Sequence, residues 1–230
     1  MADAEAGVAI TLGSVELRLL ADRAVYWPAQ STLLIADLHL GKGDAFRRAG
    51  IALPSGGTAH DLRRLSALIQ DTRPTCVIVL GDLIHGPLPQ AAHWRDQWAE
   101  FLQAHAAVRF EAVLGNHDRA LRGAESFGRL QLLREGLQRE GLHLCHEPEH
   151  APPGQPTLCG HLHPVLRLRQ PGLPPRLPAF WRSASTLVLP AFSAFTGGYP
   201  LQPQSGDSIW VCAATSVLSV PAPKRPARRR

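Results

Sequence analysis

Short apolar runs and helically spaced apolar residues alternate along the first half of the chain. The segments STLLIAD, TCVIVLGD and RFEAVLGNHD each contain a continuous apolar run, the pattern of strands buried on both faces of a sheet. Between the first two, residues 57–70 (GTAHDLRRLSALIQ) place apolar side chains at helical spacing, and HWRDQWAEFLQAH forms a second amphipathic segment before the third. This strand–helix–strand–helix–strand order predicts a parallel sheet covered by helices.

Two further patterns complete the predicted architecture. VAITLG and SVELRLL predict a β-hairpin that turns at Gly13, and residues 128–139 predict a short helix. After that helix, LHLCH, TLCGH, VLRLR, AFWRS, TLVLP and DSIWVCAA predict short strands separated by turns rich in proline and glycine. No segment has the composition of a linker, so we expect one α/β domain over residues 1–220, with the β-rich half packed as a second sheet.

The composition excludes two classes of protein. Of the 230 residues, 45% are hydrophobic, enough to bury a substantial core, which excludes a disordered chain. No apolar run approaches the ~18 residues that span a bilayer, so a transmembrane protein is excluded as well. The first residues lack the basic segment and apolar run of a signal peptide, so we expect a cytoplasmic protein with no membrane partner.

The positive charge is concentrated at one end of the chain. The formal net charge is +5, and the last ten residues, PAPKRPARRR, carry five basic residues and no acidic ones, so residues 1–220 are formally neutral. We expect residues 221–230 to form a disordered basic tail. Such a tail either adds affinity for phosphates, nucleic acid included, or is a solvated terminus with no partner.

The cysteines show neither the CxxC spacing of a zinc site nor a dense disulfide framework. Without an export signal, we expect reduced thiols in the core. The four residues are Cys76, Cys145, Cys159 and Cys212.

Polar residues with metal-binding side chains follow five of the apolar runs. They stand in DLH (37–39), GDLIH (81–85), GNHD (115–118), CHE (145–147) and GHLH (160–163). Each motif alone is compatible with ordinary loop polarity, but all five occur in order, each directly after an apolar run. Because ligands bind outside the carboxyl ends of strands in open α/β sheets, we expect the five stretches to meet at one rim.

The mixture of side chains in these stretches indicates a chemistry. Imidazole and carboxylate groups together favour Mn, Fe, Zn or Ni over Ca, which prefers oxygen ligands alone. Two divalent ions ~3.5–4 Å apart, bridged by a carboxylate, can clamp a phosphoryl group and activate a water. The pattern is therefore typical of metal-assisted phosphoester hydrolysis.

The order DLH, GDxxH, GNHD, a later single histidine and GHLH resembles the calcineurin-like metallophosphoesterase family over residues 37–163. The resemblance implies a four-layer α/β sandwich of two mixed β-sheets flanked by helices, with a binuclear metal site at the carboxyl ends of the strands. It also implies two divalent ions, with Mn²⁺ as the first choice and Fe, Zn or Ni as alternatives.

Carried over position by position, the resemblance implies roles for nine residues. His117 resembles the histidine that stabilises the transition state or protonates the leaving oxygen, and Asp118 resembles its orienting partner. Asp82 resembles the carboxylate that bridges the two metals. The ligands of one metal correspond to Asp37, His39 and His163, and those of the other to Asn116, His146 and His161.

Two positions match the family less closely. His85 stands where the usual GDxxD pattern has its last aspartate, a position that is not usually a metal ligand, so we expect a change in substrate contacts. His146 is chosen over His143 and His150 because it directly follows an apolar run, whereas His143 stands within that run.

A narrower resemblance extends over most of residues 15–215. LIADLHLGKGDAFRRAGIALPSG and LVLPAFSAFTGGYP resemble the PdeM family of ligase-associated DNA damage response endonucleases, which are known from bacterial neighbourhoods encoding a DNA ligase, a helicase and an exonuclease. The resemblance implies a manganese-type phosphodiesterase that acts on DNA in repair, with those three enzymes as candidate partners.

Basic and aromatic residues near these motifs are candidates for substrate contact. Lys42, Arg47 and Arg48 follow the first metal motif, and they either meet backbone phosphates or lie on a helix surface. The aromatic residues of LVLPAFSAFTGGYP either stack on a base or pack in the core beside a turn.

Two other functions are alternatives to a DNA nuclease. ADLHLG also resembles small-molecule phosphoesterases of the nucleotide or UDP-sugar-lipid pyrophosphohydrolase type, although a membrane-facing lipid enzyme would carry an amphipathic insertion and no clear one stands here. A non-catalytic scaffold that keeps a metal site within a repair complex is the other rival. It is disfavoured because a purely structural site would not need His117.

Overall fold

Two mixed β-sheets pack face to face in the computed structural model of the chain, which describes residues 7–88, 92–133, 136–167 and 176–221. The strands of the first sheet are β1 (Val8–Leu12), β2 (Val15–Leu20), β3 (Ala24–Trp27), β4 (Thr32–Ala36), β5 (Cys76–Leu80), β6 (Arg109–Val113), β7 (Ser126–Phe127) and β8 (Leu130–Leu133). Their spatial order is β1-β2-β3-β4-β5-β6-β8-β7.

The second sheet takes its strands from the second half of the chain. They are β9 (Leu137–Arg139), β10 (Leu142–Leu144), β11 (Thr157–Cys159), β12 (Pro164–Arg167), β13 (Arg176–Ser183), β14 (Thr186–Val188), β15 (Tyr199–Pro200), β16 (Ser208–Ala213) and β17 (Ser216–Val220). The order is β15-β12-β13-β14-β11-β10-β9, and β16 pairs with both β13 and β17. The helices are α1 (Lys42–Arg48), α2 (Gly57–Thr72) and α3 (His93–Ala104).

The parallel centre of the first sheet is built from the three apolar runs of the sequence. β4, β5 and β6 pair in parallel, with Leu34 opposite Ile78 and Ile78 opposite Glu111. Every residue of β4 and β5 is buried, as expected for strands covered on both faces. Because α2 and α3 form the two crossover connections, the carboxyl ends of the three strands meet at one edge, as predicted.

Two apolar layers hold the sheets and helices together. The layer between the sheets contains Trp27 and Ile78 of the first sheet and Phe180 of the second. On the other face of the first sheet, α2 and α3 bury apolar side chains such as Leu65 and Trp98. The predicted α/β architecture of two mixed sheets with helices is therefore confirmed.

The prediction of a short helix over residues 128–139 is wrong. Residues 130–133 form β8 and residues 137–139 form β9, which belong to different sheets. In β8, buried positions alternate with more exposed ones, and the strand pairs in parallel with β6. The apolar side chains of this segment therefore follow the two-residue period of a strand, which the tertiary pairing with β6 selects.

Four further expectations concern the chain as a whole. All four cysteines are buried and free, in agreement with the prediction of core thiols. Across the described ranges, no helix combines the length and the apolar character needed to cross a membrane. Of the basic tail expected at residues 221–230, residues 222–230 lie outside the described residues, and the single domain over residues 1–220 stays a prediction.

Substitution of Phe180 tests how much the apolar layer between the sheets contributes to stability. We predict that Phe180→Ala lowers the free energy of unfolding by about 3–5 kcal/mol, because it leaves a cavity where a fully buried ring packs against the first sheet. Leu218→Ala in β17 is the control, since this residue is 49% exposed, and we expect a change within about 0.5 kcal/mol. Urea unfolding measures both changes, and equal losses would contradict the assignment of Phe180 to the core.

Candidate metal centre

The five polar stretches of the sequence meet at one rim of the two sheets. Asp37 directly follows β4, and Asp82 and Asn116 lie just beyond β5 and β6. His146 lies just beyond β10, and His161 just beyond β11. The first sheet therefore supplies one part of the cluster and the second sheet the other.

The backbone at these positions is unusual. Five of the seven predicted ligands have a left-handed φ, a conformation that side chains other than glycine seldom adopt. Backbone hydrogen bonds hold part of this geometry, since Asp37 N donates to Gly81 O at 3.2 Å and His39 N donates to Asp82 O at 2.8 Å. The five residues are Asp37 (54°), His39 (48°), Asp82 (47°), His161 (70°) and His163 (48°).

One donor group contains the side chains of Asp37, His39, Asp82 and His163. One ligand atom from each lies within 4.8 Å of the others. His163 Nε2 is 3.3 Å from Asp37 Oδ1 and 3.4 Å from His39 Nε2. His39 Nε2 is 3.8 Å from Asp82 Oδ2. The structure thus brings these four residues together.

A second donor group is centred on His146 Nε2. Asn116 Oδ1 lies 3.0 Å from this nitrogen and His161 Nδ1 lies 3.1 Å from it. Asp82 Oδ1 lies 3.5 Å from it, so the two oxygens of Asp82 face different groups. This carboxylate is therefore placed where the resemblance predicts a bridging ligand.

Glu147 is a neighbour that the sequence reasoning did not assign. Its carboxylate lies within 4.8 Å of ligand atoms of His146 and His161. The available signal was its position directly after His146 in the CHE stretch. Glu147 thus adds an acidic group to the second donor group.

The donor set fits divalent cations by its chemistry. His146 Nδ1 is 3.1 Å from the Leu80 carbonyl oxygen, a bond that places the ring proton on Nδ1 and leaves Nε2 free as a ligand. Burial and neighbouring cationic groups lower the pKa of His39, which keeps this ring neutral, as metal binding requires. Ring nitrogens and carboxylate oxygens in one buried cluster suit Mn, Fe, Zn or Ni.

Close contacts with neighbouring atoms require glycine at two positions of the motifs, 81 and 115. A Cβ at Gly81 would lie 2.0 Å from His146 Nδ1, and φ at this position is +77°. A Cβ at Gly115 would lie 2.4 Å from both the backbone nitrogen and Oδ1 of Asp82. The GD and GN motifs therefore bring backbone and ligand side chains closer than any other residue allows.

His117, His85 and Lys42 lie at the rim of the cluster. The His117 side chain is 43% exposed, and its Nε2 is 4.0 Å from Asp82 Oδ2. Its ring stacks on that of His85 at a centroid distance of 5.0 Å. Burial, with the charges of Lys42 and His117, lowers the pKa of His85 to about 4. Burial lowers the pKa of Lys42, and the charges of Asp37 and Asp82 oppose that change.

Asp118, the predicted orienting partner of His117, contacts the backbone of two loops. Its fully buried carboxylate accepts hydrogen bonds from the backbone N–H groups of Leu83 (3.2 Å), Ile84 (2.9 Å) and Gly115 (2.8 Å). Burial raises the pKa of this carboxyl, and the three backbone donors oppose that rise. Asp118 therefore ties two loops together, and its role as the orienting partner of His117 stays a prediction.

Two other predicted substrate contacts lie on α1. Arg47 forms an ion pair with Asp44 on the same helix and donates to the Pro54 carbonyl at 3.0 Å. Arg48 is exposed at the end of α1. Both arginines lie on a helix surface, the alternative left open by the sequence.

Backbone hydrogen bonds hold the segment LVLPAFSAFTGGYP against Ala36 and Asp37. Phe192 N donates to Ala36 O at 2.8 Å, and Ser193 N donates to Asp37 O at 3.2 Å. Phe192 is fully buried in the core, whereas Tyr199 is 59% exposed. Phe192 is therefore a core residue and is not available to stack on a base.

Three charged residues bind the backbone of this segment. Asp61 accepts from Ala194 N at 3.1 Å, and Arg64 donates to the Phe192 carbonyl at 2.8 Å. Arg23 donates to the Ser193 carbonyl at 3.2 Å. The guanidinium carbon of Arg64 also lies 4.4 Å from the centre of the Phe192 ring. These contacts fix the segment around Ser193, which hydrogen-bonds to Asp37.

Substitution of Asp61 tests whether the segment around Ser193 positions Asp37 for metal binding. We predict that Asp61→Ala raises the Kd for Mn²⁺ about 10-fold, because the segment that hydrogen-bonds to Asp37 loses its anchor at Ala194. Asp71→Ala, an exposed position on the same helix, is the matched control. Calorimetric Mn²⁺ titration gives the affinities, and circular dichroism checks the fold. A folded Asp61→Ala protein with wild-type affinity would contradict the role.

Comparison with known proteins places this geometry in a family. Residues 31–194 match the family model of the calcineurin-like phosphoesterases. The structure is similar to that of the nuclease MPE of Pseudomonas putida, with 32% sequence identity over 93% of this chain and 99% of that chain and a TM-score of 0.80. No curated protein matches the sequence at a significant level.

A more distant solved structure is that of Yfce, a phosphoesterase from E. coli. It shares 17% identity over 82% of this chain and 97% of that chain, with a TM-score of 0.44, too low to support an argument. The family model alone spans most of the chain and includes all seven predicted metal ligands. The chain therefore belongs to the calcineurin-like phosphoesterase family.

Proposed function

We propose that this phosphoesterase is a metal-dependent phosphodiesterase that acts on DNA. The observation that carries the proposal is the pair of donor groups on either side of Asp82, with the exposed His117 ring beside them. The similarity in sequence and structure to a nuclease supports nucleic acid as the substrate.

The proposed site uses two divalent ions, with Mn²⁺ as the first choice and Fe, Zn or Ni as alternatives. Asp37, His39 and His163 would hold one ion, and Asn116, His146 and His161 the other, with Asp82 between them. Ions bound there would polarise a phosphoryl oxygen and lower the pKa of an attacking water.

The side chains at the rim would act on the substrate directly. His117 is both exposed and close to the donor set, so its ring can donate a proton to the leaving oxygen. His85 supports that ring by stacking on it. The ammonium group of Lys42 would offset charge on the phosphate, since its side chain lies near Asp37 and Asp82.

A role in DNA repair, with a ligase, a helicase and an exonuclease as partners, extends the proposal beyond the site. The two segments that resemble the PdeM family support it. Residues 1–220 would form the single catalytic domain, and the basic residues at 221–230 would add affinity for the phosphate backbone. The proposed place of action is the cytoplasm.

Substitution of the central carboxylate tests the metal-dependent chemistry. We predict that Asp82→Asn lowers Mn²⁺-dependent kcat on bis(p-nitrophenyl) phosphate at least 100-fold, because one carboxylate serves both donor groups. Asp96→Asn, exposed on α3, is the control and keeps wild-type turnover. Full activity in the Asp82→Asn protein would overturn the bridging role.

Substitution of His117 tests the acid role. His117→Ala should reduce cleavage of a dinucleotide, which has a poor leaving group, about 100-fold or more, and cleavage of an activated aryl diester much less. The reason is that p-nitrophenolate leaves without a proton, whereas an alkoxide needs one. His93→Ala, exposed at the start of α3, is the control. Equal losses on both substrates would count against proton donation.

The choice of substrate is tested on metal-stripped wild-type protein with Mn²⁺ added back. Linear single-stranded, linear duplex and circular DNA are offered beside bis(p-nitrophenyl) phosphate, with Asp82→Asn as control. We expect cleavage of circular DNA by the wild type alone. Turnover of the aryl diester with all DNA intact would favour the small-molecule phosphoesterase, and no turnover of any phosphoester would favour the scaffold.

A further inference from the structure

Two cysteines stand next to ligands of the second donor group, on neighbouring strands of the second sheet. Cys145 follows β10 and directly precedes His146, and Cys159 ends β11, two residues before His161. The two strands pair in parallel, and Cys145 N donates to Leu158 O at 3.1 Å just beyond the last paired residues. The register, continued by one residue, therefore places Cys145 opposite Cys159.

The two cysteine side chains lie on the same face of the sheet. Leu144 and Leu158, the residues before them, face the layer between the sheets, and side chains alternate along a strand, so Cys145 and Cys159 face outward. There they form a small buried cluster with Val188. The two thiol groups lie within hydrogen-bonding reach of each other.

The spacing of the two strands suits a disulfide bond. Neighbouring strands lie ~4.8 Å apart, within the ~4.4–6.8 Å that separates the Cα atoms of disulfide-bonded cysteines. Cys76 and Cys212, by contrast, lie in the layer between the sheets. Cys145 and Cys159 are therefore the two cysteines that share the outer face of the second sheet.

A cavity of about 500 Å³ reaches this pair from the side of the metal centre. Cys145 lines it together with Asn116, His146 and Glu147. Cys145 Sγ donates to the Glu147 carbonyl oxygen at 3.3 Å, so the thiol lies beside the turn that forms this part of the wall. The cavity is many times larger than the ~30 Å³ of a water molecule, so hydrogen peroxide would fit. Cys145 is thus the thiol that a small oxidant reaches first, and the fully buried Cys159 is its partner.

We propose that Cys145 and Cys159 are an oxidative modification site, a dithiol that closes to a reversible disulfide and weakens metal binding by the second donor group. The sulfur of Cys145 attacks one oxygen of hydrogen peroxide, the O–O bond breaks, and a water leaves with the thiol proton. The sulfur of Cys159 then displaces the hydroxyl of the resulting sulfenic acid, which leaves with the second thiol proton as water. The two sulfurs lose two electrons in all, and the peroxide is reduced to two waters.

The disulfide acts on the metal centre through His146. Bond formation draws the two sulfurs closer together than thiols in hydrogen-bond contact. The chain after Cys159 has little room to follow, because a Cβ at Gly160 would lie 2.7 Å from Ala36 Cβ. The movement therefore falls on Cys145 and on the adjacent His146, whose Nε2 is the centre of the second donor group.

The test uses a variant that retains this pair as its only thiols. Cys76→Ala/Cys212→Ala is stripped of metal, treated with hydrogen peroxide and denatured for thiol titration and intact-mass measurement. We expect the loss of both thiols and a mass decrease of two hydrogen atoms, and dithiothreitol restores both. Cys145→Ala and Cys159→Ala, each added to the same background, are the matched controls, because neither can close the bond within one chain. Peptide mapping of oxidised wild-type protein makes the same test if the variants do not fold.

Manganese affinity measures the consequence for the centre. Calorimetric Mn²⁺ titration of the protein before and after oxidation should show a Kd about 10-fold higher for the disulfide form, with a return to the first value after reduction. This part of the inference rests on the proposed metal centre but not on the proposed substrate. If neither form bound Mn²⁺, the proposed function would fail together with the effect on metal, whereas the thiol count would still decide the disulfide.

Three other outcomes would overturn the inference. Survival of both thiols at a peroxide concentration that oxidises free cysteine would exclude the site, as would a gain of oxygen atoms with no disulfide. A disulfide that included Cys76 or Cys212 in the wild type would overturn the assignment of the pair. Equal Mn²⁺ affinity of the reduced and disulfide forms would exclude the link to His146.

Discussion

The carboxylate of Asp118 is the interaction on which the geometry of the centre depends. It lies in the interior and accepts the N–H groups of Leu83 and Ile84 from the loop after β5, and that of Gly115 from the loop after β6. Those loops carry Asp82 and Asn116, one from each donor group. This single buried carboxylate, stabilised by three N–H groups, therefore sets the spacing of the two loops. Without it, these buried N–H groups would have no acceptor.

Hydrogen bonds to backbone groups also hold the remaining loops of the rim. Left-handed backbone at five ligand positions costs free energy, and the fold offsets it with hydrogen bonds from neighbouring chain segments. The segment around Ser193 pairs with Asp37 from one side, and Gly81 pairs with it from the other. Asp61, which is buried, and Arg64, both on α2, fix that segment in turn. The centre is thus supported by layers of contacts that extend well beyond the ligands.

The sequence predicted the parts of the molecule that have a local signature. The strands β4, β5 and β6 are continuous apolar runs, and the ligand stretches follow them directly, so both the sheet centre and the rim could be predicted. The strand β8 could not be predicted, because its pairing with β6 is a long-range contact that overrides the local preference for a helix. The contacts of Asp118 were missed for a related reason, since the sequence shows a carboxyl group but not the backbone donors around it. Asp61 resembles a solvated helix residue until the position of Ala194 is known.

The origin of the ligands in two separate sheets has a consequence for unfolding. His146 and His161 follow strands of the second sheet, whereas Asp82 and Asn116 follow strands of the first. A cation bound by both would link the two layers at their shared edge, so its binding free energy would oppose their separation. The resistance of the sandwich to heat would then rise with the concentration of free metal. The melting temperature would thus report metal occupancy without any substrate.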